Sequence, residues 1–178
     1  MSVINGLRLH VPAPDELDYR RRLLADPATM AYNRGCALDF EGYHRDTGCI
    51  DFPEGEWADW HDWFIGREPE RFYAYVERAA DGTWIGEVNA HRPDGGEAHE
   101  IGVVVEAKYR GKGFGEAALS LLLEHAFERM GIAALRNCFE ETRTAALRAH
   151  LACGFRECGR ENGLVALEIT REDWLRRR

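Results

Sequence analysis

From Glu116 to Phe127 the apolar residues fall on one helical face: Ala118, Leu119, Leu122, Leu123, Ala126 and Phe127, with Glu116, Glu124, Glu128 and Arg129 elsewhere. The spacing predicts an amphipathic helix that ends at Gly131, a suitable C′ residue. Just upstream the period changes. Ile101 to Val105 is an apolar, β-branched run of strand length, and between the two elements lies a polar turn, Arg110-Gly111-Lys112-Gly113-Phe114-Gly115. A strand, a glycine-rich turn and a helix therefore follow one another without interruption.

The rest of the chain reads as elements arranged around that unit. Leu7 to Val11 alternates as a short strand and stops at Pro12 and Pro14; Asp15 is placed to cap a helix running to about Leu24, which Asp26-Pro27 breaks or restarts. Gly35 to Glu56 has no sustained period, and a loop of this length inside a compact domain is uncommon unless it has a function. Glu54 to Phe64 regains helical character, and its stripe of Trp57, Trp60, Phe64 and Trp63 reads first as core packing. Phe72 to Val76 and Trp84 to Ala90 are strands joined at Ala80-Asp81-Gly82. A second turn, with Pro93, Asp94, Gly95 and Gly96, leads into the Ile101 strand. Beyond the central helix, Ala134 to Phe139 is a strand, and Thr142 or Thr144 caps a helix that runs through Cys153 and ends at Gly154. Phe155 to Cys158 and Leu164 to Ile169 form a hairpin on Asn162-Gly163, and the charged tail from Arg171 is expected to be solvated. The order implies a mixed α/β layer architecture.

Composition narrows the function. With 178 residues and 45% hydrophobic content, one domain over residues 1–178 with its own core is expected. No run approaches the ~20 apolar residues of a membrane span, and the N-terminal stretch lacks the features of a secretory signal, so the expected compartment is the cytoplasm. Five scattered cysteines without Cys-x-x-Cys spacing point to reduced thiols, and no metal site is expected. A formal net charge of −8 disfavours nucleic acid as a partner. It suits a cationic acceptor by electrostatic steering, or solubility alone.

A glycine turn opening a helix leaves several N–H groups aimed at one point with the positive end of the helix dipole behind them, which makes an anion cradle. The turn is neither a Walker A loop nor a complete Rossmann fingerprint. Val103-Val104-Val105-Glu106-Ala107-Lys108-Tyr109-Arg110-Gly111-Lys112-Gly113-Phe114-Gly115 resembles the acetyl-coenzyme A motif of the GCN5-related N-acetyltransferase (GNAT) family, R/Q-x-x-G-x-G/A after a central strand, with Arg110, Gly113 and Gly115 in its defined places. Thr142 to Phe155 is similar to the late helix and Gly-Phe turn of the same family, and the resemblance covers roughly Arg71 to Thr170.

The resemblance implies a GNAT-like acyl-CoA N-acyltransferase fold: a mixed, mostly antiparallel sheet whose fourth and fifth strands splay apart, flanked by helices. It implies acetyl-CoA as cosubstrate, its pyrophosphate on Arg110, Gly111, Lys112, Gly113, Phe114 and Gly115 and its pantetheine arm along Val103, Val104 and Val105. An oxyanion donor is expected among the N–H groups of Val104 and Val105. The expected activity is transfer of the acetyl group to a primary amine by direct attack in a ternary complex. Glu100 is the candidate base and Glu87 its runner-up. Two family positions differ: His150 stands where a tyrosine acid is frequent and is the candidate catalytic proton donor to the departing thiolate in its place, and Arg143 stands where an asparagine is. The acceptor, a small-molecule amine or basic peptide, is expected near the acids and aromatics between Ala31 and Phe64. A homodimer is admissible. The alternative is a non-catalytic acyl-CoA-binding or regulatory module, admissible because the tyrosine is missing.

Overall fold

Strand β2 (Arg71–Arg78) is buried almost throughout because it is covered on both sides. Its even residues Phe72, Ala74 and Val76 enter one apolar cluster, while Tyr73 and Tyr75 enter another on the opposite face. The computed structural model describes residues 2–93, 95–96 and 98–178. Among them, β2 joins β1 (Leu7–His10), β3 (Trp84–His91), β4 (His99–Val105), β5 (Ala134–Glu140), β6 (Arg156–Glu161) and β7 (Leu164–Thr170) in one sheet of order β1-β2-β3-β4-β5-β7-β6. All neighbours are antiparallel except β4 and β5. That parallel pair touches only at His99↔Leu135 and Glu100↔Arg136, after which the strands diverge.

The predicted central helix is α4 (Phe114–Glu124), continued by a π turn over His125–Arg129. Ala118, Leu119, Leu122, Leu123, Ala126 and Phe127 are all buried against the sheet, and each large side chain among them contributes roughly 1.5–3 kcal/mol of transfer free energy. The other face carries α1 (Asp18–Leu24), α2 (Pro27–Met30) and α3 (Trp57–Phe64). Phe64 is buried, and Trp57 and Trp60 are half-buried in these clusters. Trp63 projects outward, with the Arg71 guanidinium 3.8 Å above its ring.

Three local expectations are corrected. Asp15 caps nothing: Ala13 leads a 3-10 turn at Pro14–Glu16, Glu16 reaches back to the Ala13 N–H, and α1 starts only at Asp18. Neither Thr142 nor Thr144 caps α5 (Thr144–Cys153); Arg143 holds the cap position without a side-chain bond. The tail is a structured helix, α6 (Arg171–Arg176), capped by Thr170 and anchored by Trp174, which is buried against Phe127 with ring centroids 5.4 Å apart. Its charges hid one apolar residue that a single helical turn turns inward. The Asn162-Gly163 turn forms as read, with φ 51° and 78°. In the turn before β4, Asp94 lies outside the described residues. β6 is one of the two edges of the sheet, opposite β1, and all six of its residues are exposed.

Candidate functional site

The divergence of β4 from β5 opens a cavity of about 660 Å³. One wall is Val103, Val104 and Val105; the floor is Arg110, Gly111, Gly113, Gly115 and Glu116; the far wall is the first two turns of α5; Tyr32 closes the side. Strand alternation decides which backbone groups face it. The Glu106 N–H bonds the Ile85 carbonyl, so Val104, two residues back, is paired with Glu87 in the ladder. Val103 and Val105 therefore turn their N–H and C=O groups toward the gap where β5 has left.

At the floor, Gly111 and Gly113 adopt φ of 77° and 78°, a region open to glycine at little cost. The chain thereby folds so that, among the described residues, none of the N–H groups from Gly111 to Glu116 meets a protein acceptor. They stand at the positive end of α4. Arg110, Arg143 and Arg148 line the cavity against a single acid, Glu116, a balance suited to a polyphosphate. The Arg110 side chain has structural partners: Nε donates to the Val105 carbonyl at 3.0 Å and the terminal nitrogens to the Ala28 and Thr29 carbonyls at 3.3 and 2.5 Å. Lys112 and Phe114 do not line the cavity. Lys112 points over the Tyr109 ring, and Phe114 packs on the core.

His150 lines the far wall and is buried. Its Nδ1 lies 2.8 Å from the Ala146 carbonyl, which can only accept, so Nδ1 carries the proton. Nε2 is then the acceptor for the Asn137 amide at 2.9 Å. Burial lowers the pKa of the ring, the neighbouring backbone bond opposing it in part. The imidazole is thus neutral with its one proton committed. In an unfolded chain it would titrate near ~6.5, so the unfolded state takes up the proton first as pH falls. Stability contributed by neutral His150 is present above that value and lost as pH drops through the lower folded pKa. The wild-type melting temperature is expected to fall more between pH 7.5 and pH 5.5 than that of His150→Gln. Parallel curves would remove His150 as the source.

The two carboxylates are placed differently. Glu100 is exposed at the start of β4, 3.8 Å from His91 and beside Arg136, at the end of the gap that is still closed. The structure does not bring it into the cavity; the rise along the strand puts it about 13 Å from Val104. Glu87 is opposite Val104 but buried, and both its oxygens accept from Arg20 Nη1 at 2.7 Å while Tyr73 donates a further bond.

Residues 37–155 match the model of the acetyltransferase (GNAT) family. The chain belongs to the GNAT family. As a member it is an acetyl-CoA-dependent N-acetyltransferase. The same fold occurs in a GNAT-family acetyltransferase from Bacillus anthracis, at 17% identity and a TM-score of 0.70 over 96% of this chain and 98% of that one. It also occurs in the spermidine N-acetyltransferase of Vibrio cholerae, solved with CoA and spermine, at 17% identity and a TM-score of 0.74 over 96% and 98%. No curated protein matches the chain in sequence.

Tyr32 was not singled out from the sequence of this GNAT protein, because it lies in a single 3-10 turn, Ala31–Asn33, too short to carry a period. Arg20 was hidden among three consecutive arginines. All five cysteines are free thiols; Cys153, half-buried, has its pKa raised by burial. Among the described residues no helix is long and apolar enough to cross a membrane.

Proposed function

We propose that the protein moves the acetyl group of acetyl-CoA onto a primary amine of a small cationic acceptor, by direct attack in a ternary complex. The observation that carries this reading is the cavity between β4 and β5, bounded by unpaired N–H groups both at the glycine turn and along the strand. Acetyl-CoA supplies an acyl group activated as a thioester. The N–H groups of Gly111 to Glu116 hold the pyrophosphate, assisted by Arg143 and Arg148 from α5. Val103 pairs with the pantetheine arm as a neighbouring strand would. With the Val104 N–H engaged in the ladder, Val105 is the donor that meets negative charge developing on the acyl oxygen.

A cationic acceptor is supported by the charge of −8 and by Asp39, Glu41, Asp46, Glu54 and Glu56, which have no ion-pair partner among the described residues. Their loop starts beside the cavity, where the Cys36 thiol donates to Glu140 at 3.4 Å, two residues before the lining residue Thr142. The polyamine substrate named for the Vibrio cholerae relative points the same way.

The test is thiol release from acetyl-CoA against polyamines, aminoglycosides, amino acids and basic peptides, with CoA affinity measured by calorimetry. Turnover with one class of cationic amine is expected. Tight CoA binding with no turnover on any amine would replace this reading by the acyl-CoA-binding module, and absence of CoA binding would sink both.

A further inference from the structure

We propose that the Tyr32 hydroxyl is the hydrogen-bond donor to the departing sulfur, a role that rests on the acetyl-transfer reading above. Two independent observations carry it. The histidine on the far wall has no proton to offer, since Nδ1–H is held by Ala146 and Nε2 accepts from Asn137. The Tyr32 phenol, in contrast, lines the same cavity and has no hydrogen-bond partner among the described residues.

Its position is built by the fold. Asp26 caps α2 through the N–H groups of Ala28 and Thr29, the buried Thr29 hydroxyl accepts from the Ala107 N–H at 3.0 Å, and Arg110 grips the carbonyls of Ala28 and Thr29. This ties α2 to the root of the glycine turn, so that the next residues carry Tyr32 against Val104 and its aromatic cluster. On the other side the Arg143 guanidinium lies 4.6 Å from the Tyr32 ring centre and 5.2 Å from that of Phe139, spanning from the loop to β5. The other hydroxyls of the lining, Thr142 and Thr144, stand at the start of α5 beside Arg143. Tyr32 alone enters from the sheet face that also carries the Arg20–Glu87 pair.

Burial, with the nearby Glu87 carboxylate adding to it, pushes the phenol up to about 12. It is therefore an O–H donor throughout the working range and never a base. As the amine nitrogen bonds to the acyl carbon, the carbon–sulfur bond breaks and its electron pair passes to sulfur, which accepts the Tyr32 hydrogen bond. The surplus amine proton leaves to solvent, the thiolate is released and protonated there, and Tyr32 keeps its own proton.

The test is a pH titration of the thiol of bound CoA, followed by ultraviolet thiolate absorbance as a difference from CoA-free protein, in wild type, Tyr32→Phe and Thr142→Val. Tyr32→Phe retains the ring beneath Arg143, and CoA affinity within about twofold of wild type would show the cavity intact. A hydrogen bond to a charged acceptor predicts a thiol pKa about one to two units higher in Tyr32→Phe. In Thr142→Val the pKa of the bound thiol is expected to stay where it is in wild type. Single-turnover acetyl transfer would fall about 10–100-fold in Tyr32→Phe. An unchanged thiol titration with CoA still bound, or a shift in Thr142→Val instead, overturns the role of Tyr32 while leaving the acetyl-transfer reading in place. Failure of all three proteins to bind CoA overturns both.

Discussion

Arg20→Leu is expected to cost about 3–5 kcal/mol of folding stability, because it removes one partner of a buried ion pair and leaves the other behind. Arg20 lies between the rings of Trp60, Phe52 and Tyr73, at 4.5, 5.2 and 5.1 Å from their centres, and gives Nη1 to both Glu87 oxygens and to the Tyr73 hydroxyl. Its Nε is buried without a partner, so the guanidinium is not fully satisfied even in the native state. That imperfection makes a further prediction about the double variant. Arg20→Leu/Glu87→Leu removes both charges and is expected to recover most of the loss, since a well-packed apolar pair of similar volume is frequently as stable as the ions. Urea unfolding monitored by the aromatic signal of α3 reads both. A single variant within about 1 kcal/mol of wild type would mean that the pair is solvated in solution.

Gly113→Val is expected to abolish measurable cofactor binding at ordinary concentrations while leaving a folded protein. At φ 78° a side chain is strained by roughly 1–2 kcal/mol, more for a β-branched one. No protein atom lies within 4 Å of the Cβ position, so the fold has room for the side chain. The room it takes borders the cavity floor. Loss of two hydrogen bonds to phosphate, each worth about 1.5–3 kcal/mol, corresponds to a weakening of CoA affinity of roughly 100-fold or more. Gly115→Ala separates the two effects: Gly115 is helical with an ordinary φ, so alanine should raise stability by about 0.5–1 kcal/mol while its methyl group intrudes on the same floor. Calorimetric titration with CoA beside a melting curve reads both quantities. Unweakened binding in Gly113→Val would show that the anion does not sit on this turn.

The parts of the fold legible in the sequence were those set by local chemistry. The α4 stripe, the Asn162-Gly163 hairpin and the glycine turn each depend on residues close together in the chain, and each is found where its spacing placed it. What escaped depends on register and on contacts between distant segments. No sequence pattern reveals that Glu100 falls at the closed end of the gap and Val105 at the open end, because this follows from where β4 and β5 stop pairing. The helical spacing that put His150 on the cavity wall was readable, but the bond from Asn137 that fixes its tautomer crosses from another strand. Tyr32 lies in a three-residue 3-10 turn too short to show a period, positioned by Thr29 and Arg110, whose partners are more than seventy residues apart. Arg110 itself was legible as a motif residue, yet its side chain is spent on the carbonyls of Val105, Ala28 and Thr29.

The outer strand β6 reads Arg-Glu-Cys-Gly-Arg-Glu, exposed on both faces, and its pairing with β7 slips between Glu157 and Gly159. An unprotected ribbon of free amides is the place where sheets of different molecules fuse. Here four of six residues are ionised and the slip bends the ribbon out of line, so an incoming flat strand would meet hydrated charge and a broken register. Neutralising Glu157 and Arg160, which are paired with each other, would keep the molecule's own hairpin while leaving that border open to aggregation.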